Sequence, residues 1–321
     1  MKAVVVYQAG DPSVLQLTER PIPAIKDGWS LVKVMGFGIN RSEIFTRKGY
    51  SPNVQFPRIL GIECVGVIEE SSDENRLPVG AKVVSIMGEM GRAFDGGYAE
   101  YALLPNNQIY PVHTVLDWDS LAAVPETYYT AFGSLLNLKL VESDCVLVRG
   151  GTSGVGVAFA KLARAMFPII KLYASTRDLS KQDKLIANGF DGVILEKNGE
   201  LQTALLFNKV LELVGPATLI NSISHMAEGG IVCMSGLLGG KWTLDDFNPI
   251  NVLENNIYLT TFHSHIVNQI KLQTLFDTIT KYNVNVQPEK IFTLEQVPQA
   301  HEYLESQASF GKVIVRNFKE E

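Results

Sequence analysis

The chain has 321 residues, of which 46% are hydrophobic and 19% charged, and its formal net charge is -6. A chain of this length usually holds two domains, and the composition is that of an ordinary globular protein rather than a disordered one. The acidic balance and the scattered Lys and Arg residues disfavour nucleic acid as a partner, because phosphate backbones are bound through clustered basic side chains.

The first hundred residues are predicted to be rich in β-strands. Short β-branched runs separated by Gly, Pro, Asn and Asp turns indicate strands, and they occur at "KAVVVYQ", "SLVKVMGFGI", "CVGVIEE", "AKVVSIM" and "YAEYALL". The apolar run at residues 3–6 is too short for the apolar region of a signal peptide, and no later stretch approaches the ~20 apolar residues that cross a bilayer. We therefore expect no membrane segment and a cytoplasmic location.

The three cysteines, Cys64, Cys145 and Cys233, lie far apart, each within an apolar segment. This spacing matches neither a disulfide framework nor a zinc cluster. We expect three buried thiols in a reducing compartment.

From about Pro111 to Phe262 the chain alternates strand and helix patterns, which is typical of a parallel sheet covered by helices on both faces. A helical stretch follows, and then a last strand, "GKVIVRNF". This strand is rich in Val and Ile and is predicted to return to the sheet of the first domain.

A glycine-rich turn, "VLVRGGTSGVG", joins a predicted strand to a predicted helix. Unpaired backbone N–H groups and the helix dipole favour an anion there, and glycines allow its close approach. The spacing of Gly150, Gly151, Gly154 and Gly156 departs from a strict GxGxxG. Because a tight strand-to-helix connection can itself require glycine, the turn alone does not decide between a phosphate site and a structural turn.

The context of the turn separates two dinucleotide-binding families. Short-chain dehydrogenases carry a YxxxK pair, and none of the tyrosines here has Lys four positions later. The segments "PRILGIECVGVIEE", "LPVGAKVVSI", "DGGYAEYALLP" and "FGKVIVR" resemble the medium-chain dehydrogenase/reductase superfamily. The resemblance implies an α/β fold with a β-rich GroES-like catalytic domain at residues 1–113 and 263–321. It also implies a Rossmann-like, doubly wound dinucleotide-binding domain at residues 114–262.

The positions that hold catalytic zinc in zinc-dependent members carry Asn40, Ile62 and Glu126 in this chain. Asn and Ile do not replace the Cys and His of a zinc set, so no metal is expected. Without a Lewis acid, an acceptor that disperses charge through conjugation is favoured. The segment "GINRSEIFTRKGY" resembles the quinone oxidoreductase (zeta-crystallin-like) branch, which implies an NADPH-dependent reductase of quinones or other conjugated carbonyls.

By this resemblance, Asn40 and Glu43 line the nicotinamide side of the active-site cleft. The family's Tyr position is Phe45 here, and Tyr50 is the candidate for contacting the substrate carbonyl oxygen, with a surface loop tyrosine as the alternative. An enal, enone or enoyl thioester reductase is the nearest alternative function. A non-catalytic NADPH-binding protein, structural or regulatory, is an alternative of another class.

About 20 residues beyond the glycine turn, NAD enzymes commonly place an acidic residue that binds the ribose hydroxyls. Here hydroxyls and cations follow the strand, which suits the 2′-phosphate of NADPH better than NADH, while Asp178 is interpreted as the first-turn acid of a helix. The residues predicted to contact the cofactor are Thr130, Gly151, Thr152, Ser153, Gly154, Val155, Gly156, Ser175, Thr176, Arg177, Lys181, Gly236 and Lys312. The resemblance further implies a homodimer.

Overall fold

The structure is a computed structural model that describes residues 1–254 and 256–318. The chain divides into two compact units. Unit 1 comprises Met1–Tyr129, Ser264–Lys281 and the chain from Val286 onward, and unit 2 comprises Thr130–His263 and Tyr282–Asn285. Among the described residues, no helix is long and apolar enough to span a membrane.

The strands of the described residues, in chain order, are β1 (Lys2–Val6), β2 (Leu15–Glu19), β3 (Trp29–Ile39), β4 (Arg58–Ile59), β5 (Glu63–Glu70), β6 (Lys82–Ile86), β7 (Tyr101–Pro105), β8 (Tyr110–Pro111), β9 (Cys145–Arg149), β10 (Lys171–Thr176), β11 (Gly192–Lys197), β12 (Glu200–Leu201), β13 (Phe207–Glu212), β14 (Met226–Met234), β15 (Tyr258–Thr261), β16 (Lys290–Thr293) and β17 (Val313–Arg316).

The α-helices of the same residues are α1 (Arg41–Arg47), α2 (Trp118–Ala122), α3 (Pro125–Leu138), α4 (Gly154–Met166), α5 (Gln182–Ala187), α6 (Leu219–Ser224), α7 (Pro249–Val252), α8 (Gln269–Lys281) and α9 (Val297–Glu305). Short 3-10 turns lie at Pro12–Val14, Asn106–Gln108, Leu179–Lys181 and Leu294–Gln296.

Unit 1 is built on two sheets, ordered β2-β1-β4 and β16-β17-β3-β5-β6-β8, with β7 paired to β3. The alternating apolar residues of these strands form one buried core, in which Phe37 stacks on Tyr98 with ring centroids 4.8 Å apart. The last strand, β17, pairs antiparallel with β3. The prediction that the C-terminal strand returns to the first domain is therefore confirmed.

Unit 2 contains a seven-stranded sheet ordered β12-β11-β10-β9-β13-β14-β15, in which all neighbours except β11 and β12 are parallel. The chain runs outward from β9 through β10 to β11, and then returns to the other side of β9 as β13. This reversal is the switch point at which doubly wound sheets bind ligands, at the carboxyl ends of the strands. The predicted Rossmann-like α/β architecture is confirmed.

The division between the units differs from the predicted boundary at residue 114, because residues 114–129 belong to unit 1. Helix α2 packs against β3 and β17, and the Arg316 guanidinium forms an ion pair with Asp119 in α2. These contacts join the segment to the β-rich sheet, and the division falls within α3 instead.

Candidate active site

The glycine turn connects the end of β9 to the start of α4. Gly150 has φ +82, a conformation that favours glycine, and a Cβ on Gly151 would come within 2.6 Å of the Ala174 Cβ. A Cβ on Gly156 would come within 2.8 Å of the Gly150 carbonyl oxygen. The turn therefore lies against both the next strand and its own helix, and there is no room for a side chain at Gly151 or Gly156.

The start of α4 can still hold an anion. The Ser153 hydroxyl caps the helix by accepting a hydrogen bond from the Gly156 N–H at 3.1 Å. Within the described residues, the N–H groups of Thr152, Gly154 and Val155 have no hydrogen-bond partner. Such groups at a helix N-terminus favour a phosphate, so the residues that the sequence singled out fit a dinucleotide pyrophosphate.

The residues at the end of β10 divide into two groups. Arg177 and Asp178 are exposed and Lys181 is half-buried, and Asp178 accepts a hydrogen bond from the Ser180 N–H at 2.9 Å as the cap of the turn at Leu179–Lys181. The prediction that Asp178 acts as a helix-start residue is confirmed.

Ser175, in contrast, is buried and its hydroxyl is turned into the unit. It donates to Glu196 Oε2 at 3.2 Å and accepts from the Gly150 N–H at 3.2 Å. Ser175 was predicted to contact the 2′-phosphate, but the structure shows that its hydroxyl already serves two partners inside the sheet. The Thr176 hydroxyl also has two partners, since it donates to the Asp178 carbonyl and accepts from the Asp178 N–H, both at 3.1 Å. The side chains of Arg177 and Lys181 are therefore the main candidates for that contact.

In unit 1, Asn40, Glu63 and Lys312 form a closed cluster. The Lys312 ammonium donates to Glu63 Oε1 at 2.6 Å and to Asn40 Oδ1 at 2.8 Å, while Asn40 Nδ2 donates to Glu63 Oε1 at 2.8 Å. The other Glu63 oxygen accepts from the Glu126 N–H at 2.7 Å. The Glu63 carboxylate therefore accepts three hydrogen bonds, two on Oε1 and one on Oε2. Lys312, predicted from its motif to bind the cofactor, has its ammonium within this cluster.

Glu43 lies beside this cluster and is also buried. Its Oε1 accepts from the Asn40 amide at 3.3 Å and from the Ile62 N–H at 3.2 Å, whereas its Oε2 has no partner among the described residues. Burial, together with the charge of Glu63, raises the pKa of Glu43 to about 7. Glu43 is therefore an acid that gains and loses its proton near neutral pH.

The residues at the zinc positions do not fit a zinc site. Ile62 is buried and offers no ligand atom from its side chain, and the Asn40 amide already has partners on both its oxygen and its nitrogen. In the described part of the chain, no group of three or more His, Cys, Asp or Glu residues could hold a metal ion.

The remaining predicted residues lie in different settings. Tyr50 is 62% exposed in the loop after α1, and its ring centroid is 6.2 Å from that of Phe45. Thr130 is buried at the first residue of unit 2, where its carbonyl accepts from Ser134. Gly236 follows β14, and a Cβ there would overlap the Leu213 backbone.

Sequence reasoning did not identify Arg47, a buried cation that links separate segments of unit 1 through hydrogen bonds. Its guanidinium donates to the Gly10 carbonyl, to His301 Nδ1 at 3.2 Å and to Glu305 at 2.7 Å. Because arginine only donates, His301 Nδ1 is the acceptor, and its Nε2–H donates to the Tyr98 hydroxyl at 3.0 Å. Burial and the Arg47 charge lower the pKa of His301 to about 3, so the imidazole is neutral.

Comparison with known proteins identifies the family of the chain. Residues 26–114 match the alcohol dehydrogenase GroES-like domain family, and residues 188–315 match the zinc-binding dehydrogenase family. Quinone oxidoreductase from Homo sapiens is 30% identical over 250 residues, which cover 74% of this chain and 74% of that protein.

Solved structures share the fold. The quinone oxidoreductase from Coxiella burnetii superposes with a TM-score of 0.84 at 25% identity, covering 99% of each chain. A mycobacterial protein solved in complex with NADPH has a TM-score of 0.82 at 23% identity, covering 98% of this chain and 99% of that one. The chain belongs to the quinone oxidoreductase branch of the medium-chain dehydrogenase/reductase superfamily, and it is an NAD(P)-dependent oxidoreductase that acts on a small molecule.

Proposed function

We propose that the protein is an NADPH-dependent reductase that transfers hydride to a quinone or another conjugated carbonyl without zinc. The observation that carries the proposal is the hydrogen bonding of Asn40, whose amide oxygen and nitrogen are both held by Lys312, Glu63 and Glu43. Ile62, at the second of the three zinc positions, has no ligand atom in its side chain. This part of unit 1 therefore offers no ligand set for zinc.

Conjugation explains how reduction proceeds without a metal. A quinone or an enone spreads the incoming negative charge over several atoms, so it needs less electrostatic help than a simple ketone. The bound nicotinamide supplies the hydride, and the protein supplies orientation and exclusion of water. Lys312 and Glu63 hold the Asn40 side chain in one orientation.

Glu43 sets the charge beside Asn40. When Glu43 is protonated, the charges of Glu63 and Lys312 cancel and the cluster is neutral; when Glu43 is ionised, the cluster is negative. A negative cluster opposes the anion that develops on the acceptor. The proton that completes the reduction comes from water or from Tyr50, whose exposed hydroxyl contacts the acceptor oxygen.

The preference for NADPH over NADH is supported by the residues after β10. Arg177 is exposed, Lys181 follows one turn later, and Thr176 lies at the strand end. A guanidinium and an ammonium suit a 2′-phosphate, which is a charged acceptor. The mycobacterial neighbour was solved with NADPH.

An enoyl thioester or enone reductase is the second candidate, favoured by the exposure of Tyr50. Enoyl thioester reductases of the superfamily, which this segment resembles, place a catalytic Tyr at this point of the chain. The two candidates share the cofactor chemistry and differ in the acceptor that the loops admit.

A substrate panel tests the proposal. NADPH oxidation is measured with a quinone, a short enone and an enoyl thioester, with and without a zinc chelator, and the metal content of the purified protein is determined. We expect turnover of at least one conjugated acceptor that the chelator leaves unchanged. Stoichiometric zinc together with loss of that turnover in the presence of the chelator would contradict the proposal. The proposed homodimer is tested by light scattering, and the proposed cytoplasmic location by fractionation of cells.

A further inference from the structure

Arg149 is a buried cation at the switch point of the unit 2 sheet. It is the last residue of β9, directly before Gly150, and its side chain has no exposed surface. Its Nε donates to Glu196 Oε2 at 3.0 Å and its Nη2 to the Gly199 carbonyl at 2.5 Å. Its Nη1 reaches three further acceptors, at 2.9–3.1 Å, on Thr218, Asn221 and Ser222. A buried guanidinium is tolerated only when it is paired in this way.

One branch of this network reaches the glycine turn. Glu196 Oε2, which accepts from Arg149, also accepts from the Ser175 hydroxyl at 3.2 Å. The Ser175 oxygen in turn accepts from the Gly150 N–H at 3.2 Å. The ends of three neighbouring strands, β9, β10 and β11, are therefore linked through side chains to the first N–H of the turn.

A second branch reaches the turn after β13. Ser222, which accepts from Arg149, donates to Glu212 Oε2. Glu212 Oε1 accepts from the Val214 N–H at 2.7 Å and the Gly215 N–H at 3.0 Å. One buried cation is thus linked to two carboxylates, directly to Glu196 and through Ser222 to Glu212. Glu212 bonds directly to the backbone of its turn, whereas Glu196 reaches the glycine turn through Ser175.

We propose that Arg149, Glu196 and Ser175 are positioning residues that fix the glycine turn for the pyrophosphate of the cofactor, and that Ser175 acts on this turn rather than on the 2′-phosphate. The inference rests on the proposed binding of the dinucleotide at this turn. The pyrophosphate is common to NADPH and NADH, whereas only NADPH carries the 2′-phosphate. A positioning residue therefore affects both cofactors equally, and a 2′-phosphate contact affects NADPH alone.

The test compares Ser175→Ala with a matched control, Ser30→Ala. Ser30 is also buried, and its hydroxyl also joins a side-chain oxygen, on Asn106, to a backbone N–H, on Ser72, but it lies in unit 1. Dissociation constants for NADPH and NADH are measured by titration, and kcat is measured at saturating cofactor. In Ser175→Ala the Gly150 N–H loses its acceptor and the turn is no longer held in the geometry that the pyrophosphate requires. We therefore expect both constants to rise about tenfold, with kcat within twofold. For Ser30→Ala we expect neither constant to change.

A loss of affinity for NADPH alone in Ser175→Ala would overturn the proposal, because it would show that Ser175 contacts the 2′-phosphate. Unchanged binding of both cofactors would overturn it as well. Glu196→Gln is the second variant, because it keeps the shape of the side chain and removes its charge. It should raise the dissociation constants of NADPH and NADH by similar factors. Binding to the wild-type protein is measured first: if it takes up only NADH, the proposed cofactor choice fails, and the loss of NADH affinity in Ser175→Ala still tests the positioning role.

Discussion

Replacing Glu43 by Gln should stabilise the protein at alkaline pH and leave it unchanged at acidic pH. The pKa of Glu43 is raised from 4.5 to about 7 in the folded protein, first by burial and then by Glu63. An acid whose pKa rises on folding favours the fold fully below its unfolded pKa, and that contribution is lost as the pH rises through the folded value. The loss therefore accumulates between about pH 4.5 and pH 7 and is complete above pH 8.

The magnitude follows from the shift. A rise of about 2.5 pKa units at about 1.4 kcal/mol per unit makes the ionised side chain cost about 3 kcal/mol of folding free energy at pH 8. Glutamine avoids this cost, because its Oε1 can accept the same hydrogen bonds from Asn40 and from the Ile62 N–H. The midpoint of thermal unfolding should rise by roughly 6–12 °C at pH 8.

The assay is thermal unfolding of the wild type and the variant between pH 5 and pH 9, with Glu69→Gln, an exposed acid on the same strand as Glu63, as the control. The difference between Glu43→Gln and the wild type should grow across this range, while the difference for Glu69→Gln stays near zero. A Glu43→Gln difference that is the same at pH 5 and at pH 9 would refute the reasoning.

Three further predictions concern the cofactor, the cluster and a thiol. Arg177→Ala should weaken the binding of NADPH at least tenfold and that of NADH little, because a charge-assisted bond to the 2′-phosphate contributes about 1.5–3 kcal/mol. Equal changes in the two dissociation constants, measured by titration, would contradict the NADPH assignment. Gly38→Ala should destabilise the protein by about 3 kcal/mol in urea unfolding, since a Cβ there would overlap Glu63 Oε1 and the Lys312 ammonium; an unchanged midpoint would show that the ion pair can move aside. Burial raises the pKa of the Cys64 thiol to about 12. A thiol reagent at pH 8 should therefore leave Cys64 unmodified in the native protein and modify it in urea-unfolded protein, as measured by mass spectrometry. Modification of Cys64 in the native protein would contradict this prediction.

Local sequence patterns predicted the elements of both units, because β-branched runs and the alternation of strands and helices are short-range signals. The glycine turn and the return of β17 to β3 were also predictable, the first from the positions of Gly150, Gly151 and Gly156 and the second from a Val-rich strand at the end of the chain. The boundary between the units was not, since it depends on the packing of α2 against strands distant in sequence.

The pairing of the buried charged side chains could not be predicted from the sequence. Lys312 and Glu63 lie 249 positions apart, and Arg149 and Glu196 lie 47 apart. The motifs around Lys312 and Ser175 predicted contacts with the cofactor, and nothing in those motifs indicates the buried partners of the two side chains. Gly38 carried a usable signal, because a glycine inside a long strand indicates that another group approaches the backbone closely.

Each unit contains a buried cation that is hydrogen-bonded to polar side chains for which we propose a functional role. In unit 1, Lys312 bonds to Asn40 and Glu63. In unit 2, Arg149 is linked through Glu196 and Ser175 to the Gly150 N–H, and through Ser222 and Glu212 to the turn at Val214. Buried ion pairs contribute little net stability compared with well-packed apolar side chains, yet losing one partner is costly because the other is left uncompensated. Their use here is therefore better explained by orientation than by stability, since directional bonds hold an amide or a backbone N–H in place and apolar packing does not.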